Sequence, residues 1–246
     1  MRLVPDPWLT SIFCHDVFRV IDIEQVPLMS VDDLIRASDS HQIFYYVKVP
    51  VERLSLVHAL NNSGFKVVDV NVTFECMPRE TEIDLSSPII IRVARPEDRD
   101  ATLDIAGTCF SYSRFHLDPL IPNDLANLIK REWVANYFKG ERGEQILIAE
   151  LDAKPIGFLA ITKVISGNKT IRVIDLIGIQ SEYQRMGAGR QLVDFFINDS
   201  VGKCNILRVG TQIANVPSMN FYQRCGFHIT ESAYVLHAHV HDGKVI

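Results

Sequence analysis

The chain has 246 residues, of which 47% are hydrophobic and 22% charged, and its formal net charge is −5 at pH 7. This composition is typical of a globular protein with one large or two modest domains, and the absence of a basic block argues against nucleic-acid binding. No apolar run reaches the ~18 residues of a membrane span. The five scattered cysteines and the N-terminal sequence, which lacks a signal-peptide pattern, predict reduced thiols in a cytoplasmic protein.

Residues 1–87 are predicted to form a small α/β domain. Strands are indicated by β-branched or alternating runs, and helices by apolar residues at helical spacing. The predicted elements are a strand at 18–23, a helix at 32–37, a strand at 42–49, a helix at 51–61 and a strand at 65–74. Residues 77–88 are charged and polar, and we expect them to link this domain to a second one.

Residues 88–246 are predicted to form the second domain, a mixed sheet covered by helices. Its predicted elements are a strand at 89–94, a helix at 96–110, a loop at 111–122, a helix at 124–139, hairpin strands at 145–150 and 157–164, a strand from 171, a helix after 189, a strand at 206–210, a helix at 216–225, and strands at 227–229 and 233–239. The rhythm of residues 1–87 suggests a degenerate copy of the same fold.

The stretch from Ile171 to Gly189 is a β-branched strand, a short glycine turn and the start of an apolar-periodic helix. This order gathers free backbone N–H groups and the positive end of a helix, which together favour phosphate. The turn lacks the Lys-Ser/Thr pair of a nucleoside-triphosphate loop and the third glycine of a dinucleotide fingerprint. A glycine-rich helix start with no ligand is the remaining alternative.

Gln184, Gly187 and Gly189 resemble the pyrophosphate loop of the GNAT superfamily of N-acetyltransferases, Gln/Arg-x-x-Gly-x-Gly/Ala after a strand. The resemblance implies an α/β (α+β) fold with a mixed, mostly antiparallel sheet flanked by helices, here with an N-terminal α/β extension. It also implies acetyl-CoA as the acetyl donor. The cofactor-binding residues it implies are Ile177, Gly178, Ile179, Gln184, Arg185, Met186, Gly187, Ala188, Gly189, Arg190, Asn215 and Tyr222.

The segment Val209–Tyr222 carries a second part of the resemblance. Asn215 is expected to cap a helix that begins at Val216-Pro217, and Tyr222 follows two helical turns later on the same face. With Thr211-Gln212, this spacing resembles the bacterial dTDP-fucosamine acetyltransferase group, which acetylates a 4-amino sugar on a nucleotide carrier. Phe221 departs from that group, which has a basic residue before the tyrosine.

The resemblance implies attack of an amine on a thioester, with Tyr222 as the general acid. The general base is left open between Asp175, Glu75, His116 and a chain of waters, with His116 in the Ser113–Pro119 motif of the acceptor loop. His237, His239 and His241 alternate on one strand, but that strand is expected to be exposed and no metal is predicted.

The leading hypothesis is an N-acetyltransferase acting on a small molecule, a nucleotide-linked amino sugar of surface polysaccharide biosynthesis. An N-acetyltransferase of a peptide or other small amine is an alternative of the same fold. A non-catalytic acyl-CoA-binding module is an alternative from another class, although such a module has no need of Tyr222 as a proton donor. Pairing of the last strand between the subunits of a homodimer is left open.

Overall fold

All the strands of the computed structural model, which describes residues 1–22, 40–82 and 86–246, join one mixed sheet. In chain order the elements are β1 (Arg2–Pro5), α1 (Pro7–Phe13), β2 (Asp16–Ile21), β3 (Gln42–Pro50), α2 (Leu54–Asn62), β4 (Lys66–Cys76), β5 (Ile90–Val93), α3 (Arg99–Ala106), α4 (Asn123–Phe138), β6 (Gln145–Leu151), β7 (Lys154–Ser166), β8 (Lys169–Ile179), α5 (Ala188–Asp199), β9 (Ile206–Gln212), α6 (Val216–Arg224), β10 (His228–His241) and β11 (Lys244–Val245). The helix predicted at 32–37 lies outside the described residues.

The strand order is β1-β2-β3-β10-β4-β9-β8-β7-β6-β5, with β11 beside the end of β10. In the described part of the chain, β2–β3 and β8–β9 are the parallel pairs, and the other pairs are antiparallel. Strand β4 comes from the first predicted domain but lies between β9 and β10 of the second. The two units therefore share one sheet, and their division into domains stays a prediction.

Helices cover both faces of this sheet. Helices α5 and α6 pack on one face, which we call the α5 face, around a core that includes Phe74, Leu192, Phe196 and Leu207. Helices α1, α3 and α4 cover the opposite face, called the α4 face here. None of the helices within the described ranges is long and apolar enough to cross a membrane.

Strands β8 and β9 are paired along only the first part of their length. They pair from Ile171 with Ile206 to Ile174 with Val209. Beyond Ile174, β8 stays with β7, and β9 stays with β4 as far as Gln212. A bulge in the β7–β8 ladder falls at this point. Beyond this point, among the described residues, β8 pairs only with β7, and β9 pairs only with β4. A gap therefore opens between β8 and β9 within the sheet.

The C-terminal strands differ from the prediction. The two predicted strands are one 14-residue strand, β10, whose ladder with β4 contains irregularities after Ile229 and Val235. Because β10 is enclosed by β3 and β4, it is not an edge at which two subunits could pair, and a homodimer would need another surface. The expectation that His237 is exposed was also wrong, since only 1% of its surface is accessible.

Candidate active site

The turn between β8 and α5 presents a row of free amide N–H groups. Gly187 begins α5 with a φ of 92°, which glycine adopts without strain, and no side chain caps the helix. Gln191 is the first residue of α5 whose N–H donates to a backbone carbonyl, that of Gly187 at 3.0 Å. The N–H groups from Arg185 to Arg190 have no acceptor among the described residues. Together with the helix dipole they form a site for an anion.

The space above these amides fits the diphosphate of coenzyme A. A Cβ on Gly187 would meet nothing closer than the Gln191 side chain at 3.8 Å. A Cβ on Gly189 would make only ordinary contacts, at 3.7 Å to Phe221 and 3.8 Å to Ile179. Among the described residues, none therefore fills the space above these amides, and the glycines at 187 and 189 leave it open to a ligand.

The side chains at this turn are mostly occupied by the protein itself. Gln184 donates to the Ile179 carbonyl at 3.2 Å, and Arg190 binds Asp194 and the Arg224 carbonyl. The predicted contacts with a diphosphate would therefore come from the backbone of this turn rather than from the side chains of Gln184 and Arg190.

Helix α6 brings Asn215 and Tyr222 to the α5 face. Asn215 caps the helix, with its Oδ1 accepting from the Ser218 N–H at 3.2 Å. Tyr222 is 4% exposed and shares a core with Ile174 and Val209, the last paired residues of β8 and β9. Its ring centroid lies 5.9 Å from that of Phe74, which pairs with Val209 at the point where β8 and β9 separate. Burial raises the pKa of Tyr222, so its phenol stays protonated at neutral pH.

Asp175 occupies the bulge in β8 and is held on all sides. Its carboxylate accepts from Trp133 Nε1 at 2.8 Å, from the Tyr137 hydroxyl at 2.7 Å and from Arg142 at 2.8 and 3.0 Å. Burial alone would raise the pKa of Asp175, but the Arg142 guanidinium and the two other donors hold it below its usual value. This environment favours a structural role over the predicted role of general base.

The two other predicted bases are also engaged. Glu75 accepts from Arg208 Nε at 2.7 Å in an ion pair between β4 and β9. His116 Nε2 donates to Asn127 Oδ1 at 2.9 Å, which leaves its Nδ1 to accept from the Ser113 hydroxyl at 2.6 Å. Burial lowers the pKa of His116, so the ring is neutral at pH 7. Whereas Glu75 is paired with a charged arginine, the hydrogen-bond partners of His116 are neutral.

Sequence reasoning missed a partner of the alternating histidines. Asp118 of the acceptor loop is 3% exposed, and its Oδ2 accepts from His237 Nδ1 at 2.6 Å and from His239 Nε2 at 2.8 Å. The three ligand atoms lie within 4.8 Å of one another. The carboxylate oxygen is already an acceptor for both rings, so the group is a hydrogen-bonded triad that fastens the loop to β10. In the sequence, the alternation of the histidines was the signal that pointed to this triad.

Stability is expected to fall in mild acid because of His237. Burial lowers the pKa of His237 from 6.5 to about 4. Between these values the unfolded chain binds a proton that the folded chain does not, so stability is present above pH 6.5 and is lost as the pH falls. The contribution of His237 to the free energy of unfolding should fall by roughly 2–3 kcal/mol across this range, whereas the raised pKa of Asp69 acts in the opposite direction. Urea unfolding at several pH values measures it.

The matched variants are His237→Gln, which should reduce the acid loss, and His58→Gln on the exposed face of α2, which should retain it. Asp118 does not contribute to the loss of stability in this pH range. The two histidines hold its pKa below its usual value against the effect of burial, so its contribution is lost only at lower pH. Equal losses of stability from pH 6.5 to 4 in the unaltered protein and in His237→Gln would contradict the prediction.

Known proteins share both the sequence pattern and the fold. A family model described as "Acetyltransferase (GNAT) family" matches residues 103–227, just over half of the chain. The "Spore coat polysaccharide biosynthesis protein SpsD" of Bacillus subtilis (strain 168) is 26% identical over 196 residues, which are 79% of this chain and 66% of SpsD. The aligned region therefore spans just under two thirds of that relative's length.

Solved structures agree in fold. The GCN5-related N-acetyltransferase from Sphaerobacter thermophilus superposes with a TM-score of 0.57 at 13% identity, covering 82% of this chain and 62% of that one. The GCN5-related N-acetyltransferase from Kribbella flavida gives a TM-score of 0.54 at 16% identity, covering 79% and 68%. The chain therefore belongs to the GNAT family of acetyltransferases, whose acetyl donor is acetyl-CoA.

Proposed function

We propose that this protein is an acetyl-CoA-dependent N-acetyltransferase. The observation that carries the proposal is the gap between β8 and β9, because it opens beside the free amides of the β8–α5 turn and the phenol of Tyr222. A thioester cofactor anchored at the turn would have its arm in this gap. The non-catalytic acyl-CoA-binding alternative gives no reason for a protonated phenol at this place.

In this mechanism acetyl-CoA, when bound, supplies an activated acetyl group as a thioester. The amides from Arg185 to Arg190 would hold its diphosphate. The backbone of β8 from Ile177 to Ile179, which is not paired with β9, would bind its arm and polarise the carbonyl. The Tyr222 hydroxyl would donate a proton to the departing sulfur. The structure gives Asn215 as the cap of α6. Its contact with the cofactor arm is part of the proposal.

His116 is the proposed acceptor of the amine proton. Among the three predicted bases, Asp175 and Glu75 are committed to ion pairs with arginines, whereas the partners of His116 are neutral. A neutral imidazole can take a proton, and Ser113 can turn its hydroxyl away. If His116→Gln leaves the acidic limb of the pH–rate profile unchanged, the proton passes to water instead.

The proposed acceptor is the amino group of a nucleotide-linked sugar, such as a dTDP-4-amino-deoxyhexose, in surface polysaccharide biosynthesis. The name of SpsD, a polysaccharide biosynthesis protein, and the motif from Thr211 to Tyr222 support this choice. The test is release of free thiol from acetyl-CoA with a panel of amines. We expect turnover with nucleotide-linked amino sugars and much less with peptides. A preference for peptides would contradict the proposed sugar acceptor. Absence of turnover with every amine would contradict the proposed acetyltransferase activity.

Gly187→Ala should weaken binding of acetyl-CoA. Alanine is strained at a φ of 92°, so the turn would shift and its amides would lose their common direction. We expect KM for acetyl-CoA to rise by about tenfold, which corresponds to about 1.4 kcal/mol. Gly202→Ala is the matched control, because Gly202 has a φ of 73° and open space around it, in a turn beyond the end of α5. Equal effects of the two changes on KM would contradict the assignment of the turn.

Tyr222→Phe should lower kcat by roughly 10²–10⁴-fold with little change in KM for acetyl-CoA. The ring packs against Phe74 and Phe227 and would be kept, so only the proton donor is lost. Steady-state kinetics measure the effect, and Tyr234→Phe on β10 is the control for removing a hydroxyl elsewhere. A fully active Tyr222→Phe variant would remove this phenol from the mechanism.

A further inference from the structure

Two cations on the α4 face lie against aromatic rings and make no ion pair with a carboxylate of the described residues. The Lys130 ammonium of α4 lies 5.1 Å from the Phe110 ring centroid and 5.2 Å from that of Trp133, and only 8% of the residue is exposed. The Arg114 guanidinium lies 4.0 Å from the centroid of Tyr46 and 4.4 Å from that of Phe115. Within the described residues, neither cation has a carboxylate oxygen within 4.0 Å.

The surroundings of these cations add positive charge. Lys48 of β3 donates to the neutral amide of Asn71 at 3.1 Å, and the charges of Arg19 and Arg114 act on it. Burial lowers the pKa of Lys130 to about 8 against the attraction of Asp175, and that of Arg114 to about 10 against the effects of Tyr46 and Asp6. Desolvation likewise lowers the pKa of Lys48 to about 8, although its residue is exposed. Positive charge is thus concentrated here, with Lys130 the buried member of the group.

The carboxylates nearby are committed elsewhere. Asp175 is bound to Arg142, and Asp118 accepts from two histidines. Asp6 accepts from the Tyr46 hydroxyl at 2.8 Å and from the Leu9 N–H at 3.0 Å. Burial raises the pKa of Asp69 to about 6, and this carboxyl, which is still mostly ionised at pH 7, makes no ion pair with Lys48 in the described part of the chain. Cations in such a position are costly unless an anion from outside the chain joins them.

These cations lie on the side of the sheet opposite to the cofactor turn. Arg114 belongs to the acceptor loop, and Lys130 lies close to Cys109, whose Sγ would be 2.4 Å from a Cβ on Gly178 of β8. The anion site and the gap beside β8 are therefore neighbours on the α4 face. The free amides of the β8–α5 turn lie at the start of α5, on the opposite face. One bound diphosphate therefore cannot contact both these amides and the cations.

We propose that Arg114 and Lys130, supported by Lys48 and Arg19, bind the diphosphate of a nucleotide-linked acceptor. This rests on the proposed function for the acceptor's identity, but the anion site stands on its own contacts. The aromatic faces hold the Arg114 guanidinium by cation–π contact, and the N–H groups that do not bind Tyr46 can donate to phosphate oxygens. The same charges repel a basic peptide, so the site separates nucleotide-linked amines from cationic ones.

The direct test is calorimetric titration of dTDP into protein saturated with coenzyme A, which blocks the turn before α5. We expect binding that weakens with salt, and a loss of at least about tenfold in affinity for both Arg114→Met and Lys130→Met. Methionine keeps the packing of each stem. Lys154→Met, in the exposed β6–β7 hairpin, is the control and should bind dTDP like the unaltered protein.

The outcomes separate this site from the proposed function. Absence of dTDP binding, affinity unchanged in both variants, or equally tight binding of inorganic sulfate would overturn the diphosphate site, even if the enzyme acetylates a nucleotide-linked sugar. Binding of dTDP that both variants abolish would support the site, even if no amine is acetylated. In an active enzyme, both variants should raise KM for a nucleotide-linked sugar at least about tenfold and leave KM for the free sugar unchanged.

Discussion

The geometry of the site depends on the carboxylate of Asp175. It lies where β8 bulges, one residue after Ile174, the last residue of β8 paired with β9. Donors from α4, Trp133 and Tyr137, and the Arg142 guanidinium from the following turn all converge on it. A buried ion pair of this kind adds little net stability, because desolvation offsets its attraction, but it specifies one arrangement. Here it fixes the point at which two strands separate, and with it the place of the gap.

The first unit of the chain takes part in the site rather than standing apart from it. Its strand β4 fills the position between β9 and β10, and β3 lies on the other side of β10. Through these strands it brings Tyr46 and Lys48 to the α4 face, where Arg114 of the acceptor loop stacks on the Tyr46 ring. The triad of Asp118, His237 and His239 ties the same loop to β10. The proposed acceptor side is therefore built from both halves of the chain.

Local signals predicted much of this architecture. The helix from 216 and the turn at Gly187 were predicted within a few residues, because a capping Asn215, a proline and glycines act on neighbouring backbone. Contacts distant in sequence were not predictable this way. Asp175 and Trp133 are 42 residues apart, and no local pattern joins them. The insertion of β4 beside β10 depends on pairing across more than 150 residues, as between Glu75 and His228.

The cations of the acceptor side also bear on the missing base. An amine attacks a thioester only in its neutral form, and nearby positive charge disfavours the ammonium form and lowers its pKa. Desolvation has the same effect, so an amine bound in the poorly solvated surroundings of Lys130 would be neutral more readily than a free amine in water. A carboxylate base is then unnecessary, which agrees with the commitment of Asp175 and Glu75 to arginine partners. A neutral His116 or a water is sufficient, since the proton is removed from an amine that is already close to giving it up.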